Sequence, residues 1–359
     1  MKILLIHSCN IPPITGGDYV YFKIYQALKK RFNVTNFSTS LFLNRFHGIP
    51  WIAVRYSINP FFELYPMFVR RAYNLIFTSW DCDLPFFGDV VYAQPPSGEL
   101  ARCNKGCNFS VTYGKNLLGT LVGTIGNGST WPYRKLFGKF SIKYHRFISN
   151  SIATQKFIKH KFNKDSIVIY PPVPTHLYSY PGGKQKENLV LTIGRVVPEK
   201  RFDLIGVVGP KVPEAKFVLI GGANNRGRYI VDRIKQKFDI AGLKDNFIYL
   251  GKVSDSIKCE FLQKAKVLFH PTPYESFGIV IVEGMAAGAV PCAHNSGGPP
   301  EFVDSDNLFT NAEEAVEKIR NALNKDSSAR KELRTKALKF SEKRFENELL
   351  YVINRMIST

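Results

Sequence analysis

The sequence predicts two Rossmann-like α/β domains in tandem, each a parallel sheet covered by helices on both faces. Three observations predict it. Short apolar runs alternate with longer amphipathic stretches along most of the chain, the rhythm of strand–helix–strand units. Early on, the strand-like "KILLIHS" leads through the glycine-bearing loop "NIPPITGGD" into the helical "YVYFKIYQALKKRF", as such units do. The rhythm then stops at a Pro-, Gly- and polar-rich segment, Pro174–Asn188, and restarts after it, which is how a hinge between domains reads.

The first domain is expected over residues 1–178. After the opening strand and helix, "NVTNFST" is a strand, and "GDVVYAQPP" is a strand ending in a loop at the sheet's edge. "RFISNS" is the next strand, and Ser151 or Thr154 is placed to open the helix "IATQKFIKHKF". "SIVIYPPV" closes this half. One stretch breaks the pattern: Ile49–Trp80 is aromatic and basic with almost no acids. It fits a membrane-interface segment or a pair of core helices. The second domain is expected over residues 179–340, with strands in "LVLTIGRV", "AKFVLIGG", "NFIYLGKV", "AKVLFHPT" and "AVPCAHN". Residues 341–359, with "NELLYVINRMIS", form a closing amphipathic helix.

The chain has 359 residues, enough for two domains, and is 45% hydrophobic, which excludes a disordered class. No window approaches 18 uncharged apolar residues, so no spanning helix is expected. The N-terminal "MKILLIHSCN" is too short in its apolar run for a signal peptide and reads as a buried strand. Six cysteines in a chain this long fit reduced thiols in a cytosolic protein. Cys103 and Cys107 have no second Cys/His pair to complete a metal site. Net charge is +20 and uneven: residues 1–180 hold 21 Lys/Arg against 7 Asp/Glu, and the remainder 28 against 22. The first half therefore faces something anionic: nucleic acid, a phospholipid surface or a phosphorylated acceptor. No RNA or DNA module is recognisable, and glutamates in the second half stand where phosphates would be repelled.

In such sheets ligands bind beyond the carboxyl ends of the strands, where helix N-termini offer free N–H groups. Gly16-Gly17 precedes the first helix and lets backbone approach a phosphate or sugar closely. It is neither a G-x-G-x-x-G fingerprint nor a Walker A loop. "GRVVPEKR" follows the first strand of the second half; Gly194 ends the strand tightly, and Arg195 and Lys200 bring two cations that suit a diphosphate. In "PYESFGIVIVEGMAAG", Ser276 is a reasonable N-cap, so the helix is expected from Phe277, with the N–H groups of Phe277, Gly278 and Ile279 aimed at the ligand. Glu275 and Glu283 stand eight positions apart, a helical rise of about 12 Å. A glycosidase acid/base pair needs carboxylates roughly 5–9.5 Å apart. The spacing therefore suits two contacts along one extended ligand, such as a nucleotide-diphosphate-sugar.

"GRVVPEKR", then Glu275 and Glu283 with Phe277-Gly278 between them, then "MAAGAVPCAHNSGGPPEFV", resemble the GT-B glycosyltransferases of family 4, and within them the lipid-linked oligosaccharide mannosyltransferases. Gly16-Gly17, "SNSIATQKFI" and "YPPV" extend the resemblance over nearly the whole chain; it is weakest near residues 40–85. The resemblance implies two Rossmann-like domains facing across a cleft, with the last helix crossing back to the first. It implies a retaining hexosyltransferase that takes a GDP-, UDP- or ADP-sugar as donor substrate, with no further cofactor and no metal for chemistry. Carried over, Arg195 and Lys200 would hold the diphosphate, Glu275 the donor sugar and Glu283 the ribose. The backbone of Phe277, Gly278 and Ile279 would meet the sugar, and Gly16, Gly17 and Gly194 would lie against the donor. A front-side mechanism is usual in such enzymes, with the leaving phosphate taking the acceptor's proton.

There is one departure. Family members often carry a histidine after the strand that here is "DVVYA", and this chain has Gln94 in its place, which keeps a donor and an acceptor but does not titrate near neutrality. His7 and His145 read as structural, and His270 as a packed residue close enough to touch a ligand. The triplets Asp81-Cys-Asp83 and Asp304-Ser-Asp306 match the D-x-D of a different, metal-dependent fold. With the basic first half, these features lead us to expect mannose or glucose transfer to a membrane-associated or lipid-linked acceptor, by a cytoplasmic protein peripheral on the membrane. A GT-B epimerase or phosphorylase, or a basic nucleic-acid-binding protein, is the alternative.

Overall fold

The computed structural model describes residues 1–7, 16–38, 68–80, 88–95, 100, 146–178 and 186–358. Cys103, Cys107, His145 and the Asp81–Asp83 triplet lie outside the described residues, as does most of Ile49–Trp80. The chain forms two compact units, Met1–Tyr170 with Phe345–Thr359, and Pro171–Arg344. The break falls after Tyr170, upstream of the expected boundary at 178/179. The reason is that Pro171–Tyr178 is fastened to the second unit: the Val173 N–H donates to the Phe340 carbonyl at 2.9 Å, and the Tyr178 hydroxyl donates to Glu283 at 2.8 Å.

The first unit is a six-stranded sheet in the order β2-β1-β3-β4-β5-β6, parallel throughout. Its strands are β1 (Lys2–His7), β2 (Asn33–Ser38), β3 (Leu75–Trp80), β4 (Val90–Ala93), β5 (Arg146–Ser149) and β6 (Ser166–Val168). Strand β3 corrects the membrane-interface or helical reading for Leu75–Trp80, the last six residues of that stretch; residues 49–67 lie outside the described residues. The strand pairs with β1 on one side and β4 on the other, and Leu75, Ile76 and Phe77 are buried. A strand covered on both faces is a continuous apolar run, which periodicity alone does not separate from a buried helix. Strand β4 lies inside the sheet, between β3 and β5, and ends at Ala93 with Gln94 and Pro95 following it outside the strand.

Helix α1 (Gly16–Lys29) buries Val20, Tyr21, Ile24 and Leu28 at helical spacing. It starts at Gly16, so Gly16 and Gly17 form its first turn instead of ending a loop. Tyr21 donates from its hydroxyl to the Tyr92 carbonyl at 2.7 Å, and His7 stacks on its ring. Of the two expected helix openers, Ser151 caps α2 (Ile152–Phe162), accepting from the Thr154 N–H at 3.0 Å.

The second unit repeats the plan in the order β12-β11-β10-β7-β8-β9, again parallel. Its strands are β7 (Glu187–Ile193), β8 (Lys216–Ile220), β9 (Phe247–Gly251), β10 (Ala265–His270), β11 (Val290–His294) and β12 (Leu308–Phe309). The two-residue β12 is too short to leave a sequence signal. The helices are α3 (Ile205–Val208), α4 (Asn225–Ile240), α5 (Asp255–Lys264), α6 (Ile279–Ala286), α7 (Ala312–Leu323), α8 (Ser327–Leu338) and α9 (Glu342–Ser358). From Phe345 onward, α9 belongs to the first unit, where the Phe345 ring meets Tyr92 edge-on at 6.0 Å.

Lys186 is buried just before β7. Its ammonium caps the end of α5, donating to the carbonyls of Leu262, Gln263 and Ala265 at 3.2, 2.9 and 2.8 Å. Burial, reinforced by the charge of the buried Arg330, pushes this ammonium down to about 7. From there up to the ordinary lysine value, the unfolded chain holds a proton that the folded chain has released. Stability then rises with pH across that window, and the penalty is complete below it. The expected result is a urea midpoint that climbs from pH 7 to pH 10 in the wild type more than in Lys186→Met. Parallel curves for the two would contradict it.

Candidate active site

The carboxyl ends of β7 and β10 are neighbours at the point where the strand order of the second sheet reverses. This is where parallel α/β sheets place ligands. The loop after β7 begins with Gly194, at φ 154°, packed on Gly221 at the end of β8, at φ 150°. A Cβ on Gly221 would stand 1.7 Å from the Gly194 carbonyl oxygen. The loop then makes a short 3-10 turn, Pro198–Lys200, and closes on Arg201 in the left-handed region. It is tied to the next strand exit by Thr272, whose hydroxyl donates to the Lys200 carbonyl at 3.3 Å.

The loop after β10 is held by the loop after β11. The Gly298 N–H donates to the Glu275 carbonyl at 2.8 Å. A Cβ on Gly297 would meet that same oxygen at 2.2 Å, and one on Gly298 would meet the Ser276 oxygen at 2.4 Å. The Tyr274 N–H donates to the Ser296 hydroxyl at 2.7 Å, which also pairs with His294 Nδ1 at 2.8 Å. This backbone-on-backbone packing holds residues 275–277 outside the helix. Helix α6 therefore starts at Ile279, two residues later than expected, and its N-cap is Gly278 in the left-handed region with no side-chain cap bond, not Ser276. The Ile279 and Val280 N–H groups open the helix with no intrahelical acceptor. The Phe277 side chain is buried, 5.0 Å from the Phe302 ring and 5.4 Å from Phe340. Its ring anchors the loop in the core.

Glu275 accepts at a single oxygen from two sides. Oε2 lies 3.4 Å from Lys200 Nζ and 3.3 Å from His270 Nε2. Burial pushes this carboxyl up, but Lys200 and His270 outweigh it and hold it well below the usual carboxylate range. Burial pushes the His270 imidazole down, only partly offset by Glu275. His270 is then neutral at neutral pH, with its proton on the Nε2 that faces the carboxylate. Oε1 has no hydrogen-bond partner among the described residues. Arg195 is exposed, with no ion pair among the described residues.

Glu283 has an entirely separate set of partners. Its Oε1 accepts from the Tyr178 hydroxyl at 2.8 Å and from Lys258 Nζ at 3.1 Å. The two glutamates thus share no partner and do not form an acid/base couple. In the first unit, Gly16 and Gly17 start α1 beyond β1, and Gln94 follows β4. The Gln94 Nε2 is buried with no hydrogen-bond partner among the described residues. His7 is engaged by Asn36 at 2.8 Å, and Asp304 by Lys336 at 2.9 and 3.0 Å. Tyr178, Lys258 and Thr272 were not singled out in the sequence. Tyr178 and Glu283 are 105 positions apart, and no local pattern marks such a pair.

Residues 181–340 match the family model for glycosyl transferases group 1. The matched stretch lies within the second unit. It contains Gly194, Arg195, Lys200, Glu275, Gly278 and Glu283. Among curated proteins, the Dictyostelium discoideum GDP-Man:Man(3)GlcNAc(2)-PP-Dol alpha-1,2-mannosyltransferase is 30% identical over 229 residues, 56% of this chain and 44% of that protein. This chain thus spans less than half the length of that relative. Among solved structures, sucrose-phosphate synthase from Thermosynechococcus elongatus superposes with a TM-score of 0.74 at 15% identity, covering 100% of this chain and 99% of that one. Anabaena HepE, solved with UDP and glucose, does so with a TM-score of 0.63 at 18% identity, over 99% and 100%. The fold is GT-B: two parallel-sheet α/β domains, the second holding the stretch that matches the group 1 model.

Proposed function

We propose that this protein is a retaining glycosyltransferase that moves a hexose, mannose foremost, from a nucleotide-diphosphate sugar to a lipid-linked acceptor. The observation that carries this reading is the pairing of Glu275 with Lys200 and His270 at adjacent strand ends of the second unit. The mannosyl donor and lipid-linked acceptor rest on the likeness to the Dictyostelium enzyme.

On this reading the donor diphosphate lies against Arg195, Lys200 and the N-terminus of α6. These meet the negative charge that grows on the leaving group. The Glu275 Oε1 accepts from a donor-sugar hydroxyl. Glu283 accepts from the ribose. The acceptor hydroxyl attacks the anomeric carbon from the face the diphosphate leaves. The bond to the departing phosphate oxygen breaks, and that oxygen takes the acceptor's proton. The protein supplies position and charge. Gln94 Nε2, a buried donor without an acceptor, would bond a substrate oxygen in place of the family's histidine. No helix among the described residues is long and apolar enough to cross a membrane. Contact with a lipid-linked substrate would then be peripheral, with the basic first half against an anionic surface on the cytoplasmic face.

The test is turnover of GDP-mannose, UDP-glucose and ADP-glucose with a dolichyl- or polyprenyl-diphosphate oligosaccharide. An α-linked mannosyl product from GDP-mannose is expected. Absence of transfer or donor hydrolysis with every donor, by a folded protein, would contradict the reading.

A further inference from the structure

Glu283 is 7% exposed on the second turn of α6, and two side chains from elsewhere in the second unit close around it. Tyr178 comes from the segment that opens the unit, just after the turn Thr175–Leu177. Lys258 comes from the first turn of α5. The Lys258 ammonium also lies over the Tyr178 ring, 5.4 Å from its centroid, and the neighbouring Cys259 thiol donates to the Leu177 carbonyl at 3.3 Å. The opening segment, α5 and α6 are thus knotted together around one carboxylate.

The loading of that carboxylate is unequal. Oε1 takes two donors, from Tyr178 at 2.8 Å and Lys258 at 3.1 Å. Oε2 has only a long contact to Lys258 at 3.4 Å. A carboxylate oxygen has two lone-pair sites, so Oε1 is filled and Oε2 keeps acceptor capacity. A vicinal diol offers two donors, and Oε2 keeps room for one of them beside its long contact to Lys258. The cluster also solves a charge problem. A bare buried carboxylate would repel a nucleoside diphosphate, and Lys258 cancels that charge while leaving Oε2 with only a long contact. Burial, with the charge and hydrogen bond of Glu283, pushes the Tyr178 phenol far up, so it remains a donor. As a device for stability alone the arrangement is poor, because a buried ion pair gains little over an apolar replacement.

We infer that Tyr178 and Lys258 are positioning residues that fix Glu283 with one oxygen filled and the other presented to the ribose diol of the donor. Ribose selectivity then depends on all three residues. This rests on the reading of Glu283 as the ribose contact.

The experiment measures the affinity of GDP, UDP and ADP, and of their 2′-deoxy and 2′,3′-dideoxy forms, for the full chain and its variants. The wild type should prefer the ribonucleotide by about tenfold or more, the worth of a hydrogen bond to a charged group. Glu283→Gln should lose most of that preference. Tyr178→Phe and Lys258→Met should each cut the ratio at least about threefold, and Lys258→Arg should restore it. A merely structural role would lower the thermal midpoint and leave the ratio alone. If Glu283→Gln keeps the preference, the ribose reading itself is wrong. If Glu283→Gln loses it while Tyr178→Phe and Lys258→Met keep it, the positioning inference is overturned. Should Lys258→Met fail to fold, Tyr178→Phe removes one oxygen atom and decides the matter alone.

Discussion

Glu275→Gln should leave nucleoside diphosphate bound and sugar transfer nearly abolished, with kcat lower by about 10²–10³-fold. Three effects combine. The amide has lost the charge that Lys200 and His270 both face. The Lys200 ammonium, no longer balanced, turns to the diphosphate in the ground state as well as in the transition state. That raises donor binding without raising rate. On the proposed reading, the donor sugar exchanges a charged acceptor for the weaker amide oxygen. The split between kcat and affinity is the informative part. A variant that loses affinity for nucleoside diphosphate and transfer equally would place Glu275 on the nucleotide and not on the sugar.

Gly221→Ala should be the most disruptive single methyl group in the second unit, costing about 3 kcal/mol or more. Its Cβ would stand 1.7 Å from the Gly194 carbonyl oxygen, backbone against backbone, at a φ of 150°. No side chain can swing aside to relieve it, and Gly194 begins the loop that carries Arg195 and Lys200. The next residue is the control: a Cβ on Gly222 meets nothing within 4 Å. Chemical denaturation should show Gly222→Ala near the wild type and Gly221→Ala far below it. Equal midpoints for the two variants would mean that the strand ends do not need this close approach.

Most of the second unit was legible because its strands are short apolar runs ending in glycine or proline, as in β7 and β10, and its helices carry amphipathic spacing. Where the sequence misled, a tertiary contact overrode a local signal. Ser276 has the right chemistry for an N-cap. The glycines at 297 and 298, some twenty positions on, nevertheless hold it outside the helix and leave the cap to Gly278. Strand β3 was hidden because a strand buried on both faces has no alternation to read. The domain boundary moved because Pro171–Tyr178, proline-rich and polar like a linker, is anchored by Val173 and Tyr178. Of the candidate site, the charged loop and both glutamates were marked by spacing. Their partners were not. Lys200 and Glu275 meet only because β7 and β10 are neighbours in the sheet, and Tyr178 and Lys258 reach Glu283 from elements that sequence order does not bring together.

The loop Gly194–Lys200 is proposed to receive a diphosphate. The direct measurement is calorimetric binding of GDP, UDP and ADP, each against its monophosphate, to the wild type and to Lys200→Met. At least one diphosphate should bind the wild type about tenfold or more tightly than its monophosphate, and Lys200→Met should lose most of that margin. A wild type that binds none of the three, or a Lys200→Met variant that keeps the full margin, would contradict the account.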